Sequence, residues 1–162
     1  MSATIEIEVE LNHRRIRLEV QPNETLADVL RNRLALTGTK VSCDAQVCGT
    51  CTVLVDGLVV SSCTLLAADA HGKRVTSVEG LADPEVDGPL SRLQRAFIDH
   101  AAFQCGYCTP GFLVTATALL SEIPHPSRQQ VIEYIDGNVC RCTGYDAIVE
   151  AVLDAARGEE AR

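Results

Sequence analysis

The chain has no tryptophan and only three phenylalanines and three tyrosines among 162 residues. Aliphatic side chains must therefore fill most of the interior, and an apolar content of 46% allows a packed globular protein. Basic residues are in deficit. The 14 Lys and Arg stand against 22 Asp and Glu, and the net charge of −8 argues against nucleic acid and anionic membranes as partners. No apolar run approaches the ~20 residues that a membrane-spanning helix needs. Met1 to Glu10 lacks a signal-peptide pattern, so a cytoplasmic location is expected. There is no phosphate-binding glycine loop, internal repeat or low-complexity segment. Asp44, Asp146 and the serines show no acid–base or nucleophilic constellation, so no substrate-transforming site is expected on this chain. His13, His71, His100 and His125 are scattered, and none adjoins a cysteine motif. A Rieske centre takes two histidines on one iron, so all four are read as surface or capping residues.

Against these absences stand eight cysteines, which fall into two quartets with none left over. Cys43, Cys48, Cys51 and Cys63 are spaced C-x4-C-x2-C-x11-C. The opening of that set is the plant-type spacing for a 2Fe–2S cluster. Cys105, Cys108, Cys140 and Cys142 are spaced C-x2-C-x31-C-x-C. Two complete sets of four thiolates point to two iron–sulfur centres and hence to electron transfer. Disulfides are the first alternative, but in a cytosolic chain many cysteines favour metal ligation. Two zinc sites are the second, although the first quartet matches poorly the paired C-x2-C knuckles of zinc ribbons. A thioredoxin-like role for Cys48–Cys51 or Cys105–Cys108 is the third, and each pair has two further cysteines to complete a metal quartet.

The patterning predicts two units, residues 1–79 and 80–162. In the first, Ile5, Ile7, Val9 and Leu11 alternate with glutamates, Asn12-His13-Arg14 turns the chain, and Ile16, Leu18 and Val20 return as a hairpin. Thr25 is the expected N-cap of a helix carrying Leu26, Val29, Leu30 and Leu34 on one face, with Gly38 as its stop. Lys40 to Cys51 is a cysteine loop. Thr52–Val55 and Leu58–Ser61 form a second hairpin about Asp56-Gly57, and Arg74 to Val78 is one more expected strand. Residues 79–89, EGLADPEVDGP, read as a linker. Beyond it the period becomes helical: a stripe of Leu90, Leu93, Phe97, Ile98 and Ala101, then Phe112 to Leu120, then Val131, Ile132 and Ile135, then Ile148 to Ala156. Gly158 to Arg162 is expected to be a frayed tail. Four short helices joined by short loops suggest a bundle, and at roughly 80 residues per unit a metal staple aids stability.

Local chemistry suits the clusters. Gly49 and Thr50 are expected to present amides to sulfur in a tight loop. Pro110 suits the first turn of a helix after Cys108, and a further helix follows Cys142. Two helix entrances would thus aim amides and partial positive charge at the second quartet, favouring its reduced state. Tyr107 and Tyr145 flank ligands and are read as shields against water. Arg141 is read either as tuning the cluster, as meeting a partner's carboxylate, or as an ordinary surface ion pair.

The segments CDAQVCGTCTVLV (43–55), QCGYCTPG (104–111) and NVCRCTGY (138–145) resemble the small iron–sulfur subunit of molybdenum hydroxylases, the family of xanthine dehydrogenase, aldehyde oxidoreductase and carbon monoxide dehydrogenase. The resemblance spans nearly the whole chain. It implies an α+β protein: an N-terminal β-grasp, ferredoxin-like domain and a C-terminal four-helix-bundle domain, each binding one 2Fe–2S cluster. It implies a large subunit carrying molybdopterin and molybdenum and a medium subunit carrying FAD, in a heterotrimer or a dimer of heterotrimers. Electrons would pass through the helical-domain cluster, then the ferredoxin-type cluster, then to FAD. By position, Gln104 and Cys142 match residues that approach the pterin; the other reading of Gln104 is a polar residue satisfied within the bundle. Ser42 and Gln46 stand where the family often has glycine, and Thr50 where alanine is frequent. These departures bear on loop conformation and its hydrogen bonds to sulfur.

Overall fold

The computed structural model describes residues 4–82 and 88–158. Residues 83–87 of the expected linker and 159–162 of the expected tail lie outside the described residues.

Strands β1 (Ile5–Leu11) and β2 (Arg14–Val20) pair antiparallel, with Ile5 opposite Val20 and Leu11 opposite Arg14. Asn12 and His13 close the hairpin with φ of 48° and 67°, the two left-handed positions of a type I′ turn. Ile7, Val9, Leu11 and Val20 face inward and are buried. Helix α1 (Leu26–Asp28) starts as the residues dictate: the Thr25 hydroxyl accepts from the Asp28 amide, and the Asp28 carboxylate accepts from the Thr25 amide.

The helix does not run to Gly38. It widens into a π-helical turn at Val29–Arg33 and ends at Leu34, with Ala35 in the left-handed region at φ 56°. The wide turn swings Leu34 and Leu36 back onto the core that buries Leu30. The Leu36 amide reaches the Leu30 carbonyl at 2.8 Å. The Arg31 guanidinium donates to the carbonyls of Thr37 and Thr39, which lie beyond the helix.

Strands β3 (Thr52–Val55) and β4 (Leu58–Ser61) form the second hairpin. Strand β5 (Arg74–Thr76) is shorter than expected, because Val78–Gly80 coils into a 3-10 turn. It pairs parallel with β1 and antiparallel with β3, giving a mixed five-stranded sheet in the order β2-β1-β5-β3-β4. A 3-10 turn at Ala67–Ala70, which the sequence pattern does not predict, packs its alanines beneath this sheet.

Four helices follow: α2 (Arg92–Asp99), α3 (Thr109–Glu122), α4 (Arg128–Ile135) and α5 (Asp146–Arg157). Ser91 with Gln94 and Ser127 with Gln130 make capping boxes that fix the starts of α2 and α4. Leu93, Phe97, Phe112, Leu119, Val131 and Ile148 belong to one buried core. Two stripes are narrower than expected. Ile98 and Ile132 are exposed, each turned away from a helix's buried face, and Ala101 lies beyond α2 with φ 48°. Helix α3 is apolar almost all round, and its neighbours explain this: it touches β3 and β4 as well as α2 and α4. It is a wall shared by the sheet and the helices. Among the described residues, no helix is long and apolar enough to cross a membrane.

Candidate iron–sulfur sites

The first cysteine loop curls tightly. Asp44, Gln46 and Gly49 all have positive φ, of 52°, 58° and 66°. This turns successive amides inward, and those of Val47 and Cys48 each lie 3.4 Å from Cys43 Sγ. The amides of Val47, Ala45 and Cys48, with the Cys48 thiol, hold Cys43 down at about 7, so its anionic form is favoured. The amides that reach cysteine sulfur here come from Ala45 to Cys48. The Gly49 carbonyl faces out of the loop, accepting from Thr52 and Asn138, and Thr50 is buried. Gln46 adopts the left-handed conformation without being glycine, at a cost of roughly 1–2 kcal/mol. Its side chain is tied down, accepting from the Thr64 hydroxyl at 3.1 Å.

Cys51 enters β3 and Cys63 follows β4, which buries both beside Ala27. Burial pushes Cys63 up to about 11, and its thiol neighbours that of Cys51. In the helical unit, Cys108 is the N-cap of α3, with Pro110 in the first turn as expected. Burial, then the neighbouring Cys140 thiol, pushes Cys108 up to about 12. Cys142 Sγ lies 3.6 Å from Cys105 Sγ, and that contact, then burial, raises the Cys142 thiol. Cys140 behaves oppositely. Burial pushes it up, but the Thr143 hydroxyl (3.1 Å) and the amides of Cys142 and Thr143 outweigh that and hold it below its ordinary value.

The thiols therefore stand in four pairs: Cys43 with Cys48, Cys51 with Cys63, Cys105 with Cys142, and Cys108 with Cys140. A binuclear cluster takes two thiolates on each iron, whereas a tetrahedral zinc draws four onto one point. All eight cysteines are free of disulfides. The donor set fits two binuclear clusters.

The remaining expected residues separate by exposure. Gln104 is exposed beside the exposed Cys105. Cys142 and Arg141 are exposed as well, and Arg141 makes no ion pair among the described residues. His71 accepts from the Glu8 amide, and His100 meets Asp154 at 3.3 Å. The tyrosines do more than shield. The Tyr107 hydroxyl donates to the Val41 carbonyl, while the Tyr145 hydroxyl accepts from the Cys140 amide at 2.9 Å. Tyr145 sits at φ 72° with its ring edge-on to Phe112. Asn138, which opens the NVCRCTGY segment without an expected role of its own, is buried and bonded to the first loop.

Paired thiols on a mixed sheet and on helix entrances define a two-centre iron–sulfur protein. Residues 9–81 match the family described as 2Fe-2S iron-sulfur cluster binding domain, and residues 77–153 match the 2Fe-2S binding domain family. The nicotine 6-hydroxylase small subunit of Paenarthrobacter nicotinovorans is 54% identical over 154 residues, covering 95% of this chain and 91% of that one. The nicotinate dehydrogenase small FeS subunit of Eubacterium barkeri is 41% identical over 148 residues, covering 91% and 92%. The crystal structure of quinoline 2-oxidoreductase from Pseudomonas putida 86 superposes with a TM-score of 0.91 at 43% identity, covering 98% of this chain and 97% of that one. The chain belongs to the small 2Fe–2S subunits of molybdenum hydroxylases. It is an electron-transfer subunit of an oxidoreductase.

Proposed function

We propose that the four thiol pairs hold two 2Fe–2S clusters, one in each unit, and that the chain links a molybdopterin-bearing large subunit to an FAD-bearing medium subunit. Cys43, Cys48, Cys51 and Cys63 would hold one cluster, and Cys105, Cys108, Cys140 and Cys142 the other. When bound, each cluster supplies one-electron storage. The observation that carries the reading is the exposed rim of Gln104, Cys105 and Cys142 on the helical unit. A thiol pair at the surface needs a partner to cover it, and Gln104 beside it offers an amide for a polar cofactor edge. Electrons enter on this side and leave near the exposed Cys43 loop. The amides around Cys43 and Cys140 stabilise added negative charge at sulfur, and the buried pairs exclude water.

The boundary between residues 79 and 80 divides these units, supported by the two separate cores. The sheet order supports a β-grasp assignment and the shared helical core a four-helix bundle. A heterotrimer or a dimer of heterotrimers in the cytoplasm completes the proposal.

The native complex tests it. Purified holoprotein should carry roughly four iron and four sulfide per chain, as two such clusters require, and should elute with molybdenum. Gln104→Ala should keep that iron and weaken association with the large subunit. A colourless chain with stoichiometric zinc would sink the reading, and a lone, molybdenum-free species active as a carrier would favour a free-standing ferredoxin.

A further inference from the structure

Three hydrogen bonds close a ring between Cys140 and Tyr145. The Cys140 amide donates to the Tyr145 hydroxyl at 2.9 Å, and the Tyr145 amide donates to the Thr143 hydroxyl oxygen at 3.3 Å. The Thr143 hydroxyl then donates to Cys140 Sγ at 3.1 Å. The direction of this last bond is fixed by the one before it. An amide N–H can only donate, so Thr143 Oγ1 offers a lone pair to Tyr145 and keeps its single proton for the sulfur. The Thr143 amide adds a second bond to the same sulfur at 3.4 Å.

The ring of bonds is braced from outside. Tyr145 has φ 72°, and its side chain stands edge-on to the buried Phe112 with ring centroids 6.0 Å apart. Cys140 is itself only 8% exposed. A hydroxyl dipole held in this way toward a shielded sulfur stabilises negative charge placed there without first reorienting. Among the described residues, Cys140 alone takes a side-chain hydroxyl on its sulfur, whereas Cys43 takes the amides of Val47 and Cys48. The two quartets are therefore not served alike.

We infer that Thr143 is a positioning residue for electron transfer. Its hydroxyl, aimed by the Tyr145 amide, raises the reduction potential of the helical-unit cluster relative to that of the first quartet. The inference rests on the ligand assignments proposed above. Hydrogen bonds to sulfur are among the factors that set such potentials. Reduction adds one electron to the cluster, while the hydroxyl keeps its proton and no bond to sulfur breaks.

The test uses holoprotein carrying Thr143→Val, titrated with dithionite and redox mediators and followed by electron paramagnetic resonance. The second-quartet signal is the one that Cys142→Ser removes. At equilibrium the ratio of reduced second to reduced first cluster should fall about tenfold, or about 59 mV for one electron. Thr143→Ser, which keeps the hydroxyl, should restore the natural ratio. An unchanged ratio in Thr143→Val with both clusters present overturns the inference and leaves the ligand assignments standing. A ratio in Thr143→Ser as low as in Thr143→Val overturns it too, because the methyl group and not the hydroxyl would then matter. Iron missing from the unsubstituted protein overturns the ligand assignments instead. Should Thr143→Val shed its cluster, a crystal structure of the unsubstituted holoprotein decides. Thr143 Oγ1 within hydrogen-bond reach of Cys140 Sγ supports the inference, and the threonine methyl turned to the sulfur overturns it.

Discussion

The Tyr107 hydroxyl donates to the Val41 carbonyl at 2.7 Å, a bond from the helical unit's cysteine loop to the entrance of the sheet unit's loop. Tyr107 follows Gly106 between Cys105 and Cys108, and Val41 lies two residues before Cys43. Tyr107→Phe keeps the ring and removes the bond. Loss of about 0.5–1.5 kcal/mol is expected from a typical hydrogen bond, read as a lower thermal midpoint with the iron content unchanged.

Tyr145→Phe isolates a different bond. The ring would remain edge-on to Phe112 while the Cys140 amide loses its acceptor. Iron should leave the second quartet faster under chelator challenge, and the first quartet's signal should persist. Equal loss from both quartets would contradict this assignment of the Tyr145 hydroxyl.

Cys142→Ser removes half of an exposed thiol pair. Roughly half of the iron and sulfide should be lost, since one of two clusters depends on it. In the assembled enzyme the first-quartet cluster should no longer be reduced by substrate. Unchanged substrate-driven flow would contradict the route from the helical unit to the sheet unit.

Tyr134 makes stability depend on alkaline pH. Burial, then its bond to the Glu122 carboxylate at 2.8 Å, pushes the phenol up to about 12. The folded value lies above the ordinary value of about 10, so this contribution is present below pH ~10 and is lost as pH rises through ~12. Melting temperatures measured from pH 9 upward should fall more steeply for the natural chain than for Tyr134→Phe.

The cysteine quartets, both hairpins and all four helices were legible because spacing and periodicity are local. Thr25 announced its cap for the same reason. The end of α1 was not legible: the apolar face of Leu30 and Leu34 suits a continued helix, and only packing of Leu36 on the same core selects the wider turn. Strand β5 was placed without its partners, since a parallel pairing with β1 leaves no mark in either segment. The exposure of Ile98 and Ile132 depends on which neighbours each helix finds. The contact of Gly49 with Gly111 was illegible in principle, because two absent side chains make no pattern.

That contact has a consequence for anyone recombining such subunits. The two halves recognise each other partly through bare main chain, where Gly49 meets Gly111 and Asn138 closes the gap. A chimera joining either half to a foreign one must match a missing pair of methyl groups, and a single alanine at either glycine would prise the halves apart while every cysteine stayed in place.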